Sequence, residues 1–117
     1  MKILIVSYSD PHDGGDVTWN ALRVAAFQAD LGDEVNVFLL SDGVTLVHRD
    51  TPPPTGLPYD VGAELAAAFK AGVTVKTCGT CLKNRGLSPE GVRAGISVAT
   101  LKDLSDWLHD ADVVLTF

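Results

Sequence analysis

Cys78 and Cys81, separated by Gly79 and Thr80, are the strongest chemical signal in the chain. At this spacing a disulfide or persulfide sulfur at one position can be attacked and resolved by the thiolate at the other. Three of the nine Lys and Arg residues, Lys76, Lys83 and Arg85, fall within seven residues of Cys78, in a chain whose formal net charge is −6. Nearby positive charge lowers a thiol's pKa and raises its thiolate fraction. Cys78 and Cys81 are therefore the candidate catalytic thiols, and Lys76, Lys83 and Arg85 their candidate supporting cations.

Other readings of the same residues carry different expectations. A zinc half-site would need two more ligands, and His12, His48 and His109 do not form a second pair at metal-site spacing, so no metal is expected. Cys-Gly-x-Cys also suits a disulfide exchanger. A thioredoxin-type protein, however, places the motif after an early strand and opens a long helix with it. Here the motif follows the third predicted strand and is soon followed by Gly86, Pro89 and Gly91. A dithiol oxidoreductase is the second reading, and a non-catalytic assembly with slow, buried thiols is the third. The turn Asp13-Gly14-Gly15-Asp16 lacks both G-x-G-x-x-G and a P-loop lysine, and its two aspartates would oppose a phosphate. It reads as a turn whose Asp16 caps a helix. His48 reads as a solvated loop residue, and His109 sits near a helix end where positive charge is favoured.

The elements that must position the thiols follow from hydropathy. Lys2 to Tyr8 is a continuous apolar run, the pattern of a strand covered on both faces in a parallel sheet. Val17 to about Leu31 is a helix stopped by Gly32. Val35 to Leu40 is a second buried strand, ending at Ser41-Asp42-Gly43. The segment from Arg49 to Pro58 holds four of the six prolines and is a loop. Tyr59 to Ala71 is an Ala-rich helix, and Val73 to Thr77 is a third strand that runs directly into Cys78. Ser88-Pro89-Glu90 opens a short helical turn, and Ile96 to Ala99 is a small strand. Thr100 to Asp110 is an amphipathic helix, with Leu101, Leu104, Trp107 and Leu108 on one stripe and Thr100 and Asp103 forming a capping box. Val113 to Phe117 is the last strand. Strands alternating with helices predict an α/β sandwich around a mostly parallel sheet, and open sheets of that kind carry their sites at the carboxyl ends of strands. The first helix is apolar over more of its circumference than one sheet face requires, which makes Trp19 and Phe27 candidates for a subunit contact.

With 117 residues, 46% hydrophobic and 21% charged, the composition suits one domain spanning 1–117 with its own core. The acidic balance offers no broad basic surface for phosphate backbones, so no nucleic acid is expected. No apolar run approaches the roughly 18 residues of a membrane span. The polar turn at Ser7 leaves no signal-peptide core. A cytoplasmic location follows as an expectation, and two cysteines in a reducing compartment are more often reactive than a structural staple.

Taken in order, these pieces resemble a family. The apolar first strand, the long helix ending in Gly32, the strand closing on Asp42-Gly43-Val44, the Gly72-Val73-x-Val75 strand entering Cys78, the Arg85-Gly86 pair and the Leu-x-x-Trp-Leu-x-x-Ala-Asp-x-Val ending are similar to the DsrE/DsrF-like proteins, with their TusD and YchN-type members. The resemblance spans essentially the whole chain. It implies a single-domain three-layer α/β sandwich with a five-stranded, mostly parallel sheet, assembled as a homotrimer or homohexamer. It further implies a sulfur relay in which a persulfide-forming cysteine precedes an Arg-Gly pair, so that role carries to Cys78. Sulfur donor and acceptor proteins would be the partners, and no cofactor is needed. Cys81 departs from the TusD-type pattern.

Overall fold

The structure, a computed structural model, describes residues 1–117. Five strands form one sheet: β1 Lys2–Ser7, β2 Glu34–Leu39, β3 Thr74–Cys78, β4 Ser97–Ala99 and β5 Val113–Thr116. Every pairing is parallel, in the order β4-β3-β2-β1-β5. Ile3 to Val6 and Val37 to Leu39 are buried, as expected of strands with neighbours on both edges and cover on both faces.

Four α-helices complete the layers: α1 Val17–Asp30, α2 Val61–Lys70, α3 Gly79–Asn84 and α4 Leu101–Asp110. From β1 through β4 the chain steps outward in one direction, and α1 packs beside α2 on one face. The last connection must return across β3, β2 and β1 to reach β5. Right-handed crossovers put that returning helix on the opposite face, where α4 meets the sheet through Trp107, set edge-on against Phe38 at 6.2 Å and 88°. The capping box forms as predicted, with Asp103 accepting from the backbone N–H of Thr100 at 2.8 Å. Those hydrogen bonds hold the Asp103 carboxyl below its ordinary pKa. Leu104 is buried, but Leu101 is 69% exposed and Leu108 is also exposed, so only half of the predicted stripe enters the core.

Some local expectations change. Asp16 precedes α1 without a side-chain capping bond, whereas Asp60 caps α2 by accepting from Ala63 N–H at 2.9 Å. The apolar turn after β2 is a 3-10 helix, Ser41–Val47. It lies so close to the end of β1 that a Cβ on Gly43 would run into the carbonyl oxygen of Ser7. His48 is not solvated: it is 3% exposed. Its Nε2–H donates to the Ser88 carbonyl at 2.8 Å while Nδ1 accepts from Asp50 N–H at 3.1 Å. An imidazole that satisfies two backbone groups in this way acts as a clasp. It pins the turn after α3, the 3-10 turn Pro89–Gly91, to the segment after Val47.

Candidate functional site

The local chain path places the two sulfurs. Cys78 is the last residue of β3 and the residue that caps α3, so the strand hands its side chain directly to a helical turn. Its Sγ accepts from the Cys81 N–H at 3.3 Å. One turn later Cys81 projects toward the end of β2, where its Sγ accepts from the Ser41 N–H, also at 3.3 Å. Ser41 makes that contact from φ +54°, the only left-handed residue in the chain that is not glycine. Such a conformation costs a side chain-bearing residue about 1 kcal/mol or more.

The two thiols differ in access. Cys78 is 3% exposed and belongs to the main core cluster, whereas Cys81 is half-buried. Both are free. Burial pushes the Cys78 thiol above its ordinary pKa, contact with the Cys81 thiol adds to the rise, and the backbone N–H groups of Cys81 and Thr80 only partly offset it. This corrects the expectation of a depressed Cys78 pKa: burial outweighs the nearby charges, and the three cations are directed elsewhere. Lys76 lies under α4, with Nζ 4.5 Å from the Trp107 ring and 3.7 Å from Asp103. The Arg85 guanidinium donates to Asp42 at 2.7 Å, to the Cys81 carbonyl at 3.0 Å and to Ser41 Oγ at 3.4 Å. Lys83 is exposed on α3, at the rim of a hollow of about 370 Å³ that runs along Gly79, Gly86, Leu87, Ser88 and Pro89. Arg85 is thus brought to the site as the tie between α3 and the 3-10 helix, while Lys76 is spent on α4.

Ser41 and Asp42 are the site residues that motif reading alone does not supply. Their signal was the Ser-Asp-Gly run at the end of a buried strand, where a sheet of this type has its working end. No group of three or more His, Cys, Asp and Glu side chains is arranged to hold a metal ion.

A pair of free thiols at the carboxyl end of an all-parallel, three-layer α/β sheet defines the class: a small cysteine-bearing doubly wound domain. The DsrE/DsrF-like family model matches residues 1–117, and the chain belongs to that family. Protein YchN of Escherichia coli is 35% identical over 118 residues, covering 99% of this chain and 98% of its own. An uncharacterized protein of Methanocaldococcus jannaschii is 36% identical over 118 residues, with both chains fully covered. The crystal structure of the E. coli YchN protein superposes with a TM-score of 0.85 at 34% identity, over 100% of this chain and 99% of that one.

Proposed function

We propose that this protein is a sulfur-relay carrier that holds sulfane sulfur as a persulfide on Cys78 and passes it to a thiol of a partner protein. One observation carries the reading: two free cysteines on a single helical turn, each sulfur met by a backbone N–H, at the carboxyl end of the sheet. Loading needs a thiolate and a donor persulfide. A cysteine sulfur of the site attacks the outer sulfur of the donor, the donor leaves as a thiol, and the outer sulfur comes to rest as Cys78-S-SH. The acceptor thiol repeats the exchange in the other direction, so no net oxidation occurs and no metal or organic cofactor is required. The site's enclosure suits the product, because Cys78 is buried and a sulfur carried there is shielded from small thiols. Lys83, exposed beside the Gly79–Pro89 hollow, is the cation an acidic partner surface would meet.

Assembly as a homotrimer or homohexamer in the cytoplasm belongs to the same proposal. Supporting it, Val17, Phe27 and Leu31 are exposed on or next to α1, Phe27 at 65%. Trp19 is engaged within the chain instead, stacked on Tyr59 at 5.3 Å and beneath Arg23 at 4.4 Å.

Intact-mass measurement after incubation with a small-molecule persulfide tests the function. The expected result is a gain of one sulfur that survives desalting in the wild type and is not retained in Cys78→Ser. An unchanged wild-type mass would end the relay reading. Because the two free thiols share one helical turn, a dithiol oxidoreductase is the competing outcome, and it would appear as a loss of two hydrogens with no sulfur gained.

A further inference from the structure

The two sulfurs are unequal in a way that sets an order of events. Cys78 is 3% exposed and lies behind α3, with its Sγ facing the backbone of Cys81. Cys81 is half-buried, and its Sγ meets Ser41 N–H at the exposed mouth between α3 and the 3-10 helix. A donor protein presenting a persulfide reaches the outer sulfur first. An in-line approach to Cys78 would require α3 to move, yet α3 runs straight out of β3 at its amino end and is tied down beyond its carboxyl end. Arg85, at its carboxyl end, is tied to Asp42 and to the Cys81 carbonyl. The turn that follows is held by the buried His48 through Ser88.

We infer that Cys81 is the receiving thiol and Cys78 the storage thiol, with sulfur passing inward from one to the other. The inference rests on the sulfur-relay reading and assigns Cys81 a step within it. In the first exchange the Cys81 thiolate attacks the outer sulfur of the donor persulfide. The donor S–S bond breaks, the donor leaves as a thiolate, and Cys81-S-SH forms. In the second, the Cys78 sulfur attacks that outer sulfur, the S–S bond on Cys81 breaks, and the proton released by Cys78 ends on Cys81. The products are Cys78-S-SH and Cys81-SH, so sulfur, protons and electrons balance without an oxidant. Ser41 is a positioning residue in this scheme: its N–H is aimed at the Cys81 sulfur, where thiolate charge appears as the donor approaches and again as Cys81 leaves. Attack by Cys78 on the inner sulfur of Cys81-S-SH would instead give a Cys78–Cys81 disulfide and sulfide.

The test is a time course of loading by glutathione persulfide, read by intact mass and by peptide mapping of the wild type, Cys81→Ser and Cys78→Ser. The wild type should show sulfur on Cys81 before Cys78. Cys81→Ser should load Cys78 about tenfold more slowly or worse, equivalent to at least ~1.4 kcal/mol of barrier. Cys78→Ser should place its first sulfur on Cys81 and fail to retain it through desalting. Loading of Cys81→Ser at the wild-type rate would overturn the order while leaving the relay intact, whereas a wild type that never loads would overturn both. Alkylation of the reduced wild type by iodoacetamide gives a readout independent of sulfur chemistry. Faster modification of Cys81 than of Cys78 is expected, and the reverse would overturn the assignment even where loading occurs.

Discussion

The two ends of the sheet are built by different means. At the amino ends of the strands, charged groups are paired across open surface, the Met1 ammonium with Asp33 at 2.7 Å and Lys2 Nζ with Asp110 at 2.9 Å, and the Asp112 carboxylate accepts from the Lys2 backbone N–H at 2.7 Å. At the carboxyl ends, a glycine stands where no Cβ fits, a serine is held in a left-handed conformation, and two sulfurs are met by main-chain donors. The first end joins parts of the chain through replaceable side chains. The second is specified by backbone geometry, so conservative changes there should be felt more than the loss of whole charges at the other end.

Four substitutions and one titration sharpen or break this contrast. Gly43→Ala should have the largest effect, about 3 kcal/mol of lost stability in urea unfolding, because its Cβ meets main chain at Ser7 and cannot be relieved by rotating a side chain. A loss under about 1 kcal/mol would show that the end of β1 yields easily. Arg85→Ala should cost about 1 kcal/mol, since it removes the Asp42 pair and leaves the Cys81 carbonyl unmet. Ser41→Gly should raise stability by about 0.5 kcal/mol, the relief at φ +54° being partly offset by the greater freedom of the unfolded chain. Asp110→Ala should change stability by only about 0.3 kcal/mol, and the difference should fade in added salt. A larger loss for Asp110→Ala than for Arg85→Ala would invert the comparison. The titration gives a sign alone. Burial raises the Cys78 thiol pKa in the folded chain, so its contribution to stability is full below the unfolded thiol's pKa of about 8.5. It is lost as pH rises through the higher folded value. Wild type should therefore lose more melting temperature than Cys78→Ala between neutral and alkaline pH.

Much of this architecture was legible because it is local. Apolar runs marked β1, β2 and β3, the Thr100 and Asp103 spacing marked the start of α4, and Cys78 was placed correctly at a strand end. What stayed hidden depended on partners far along the chain. Lys76, two residues before Cys78, looked like a thiol's cation until α4 brought Trp107 and Asp103 over it. His48 looked solvated because its partner Ser88 is 40 residues away. Arg85 was put forward as a supporting cation of the thiols, but the group it pairs with, Asp42, lies 43 residues earlier. Charge counted along a sequence says little about charge in space once helices cross a sheet, and the electrostatic expectation for Cys78 failed because the thiol is buried and the cations near it in sequence are engaged elsewhere.

The donors aimed at both sulfurs are peptide N–H groups of Cys81 and Ser41. A conventional scan that truncates side chains one at a time leaves those groups in place, so Ser41 would pass such a screen as dispensable. Detecting its contribution calls for a change to the main chain itself, such as an ester in place of the amide at position 41. The same logic lets side chains around the thiols be exchanged while the cradle is kept, provided the path of the chain is preserved.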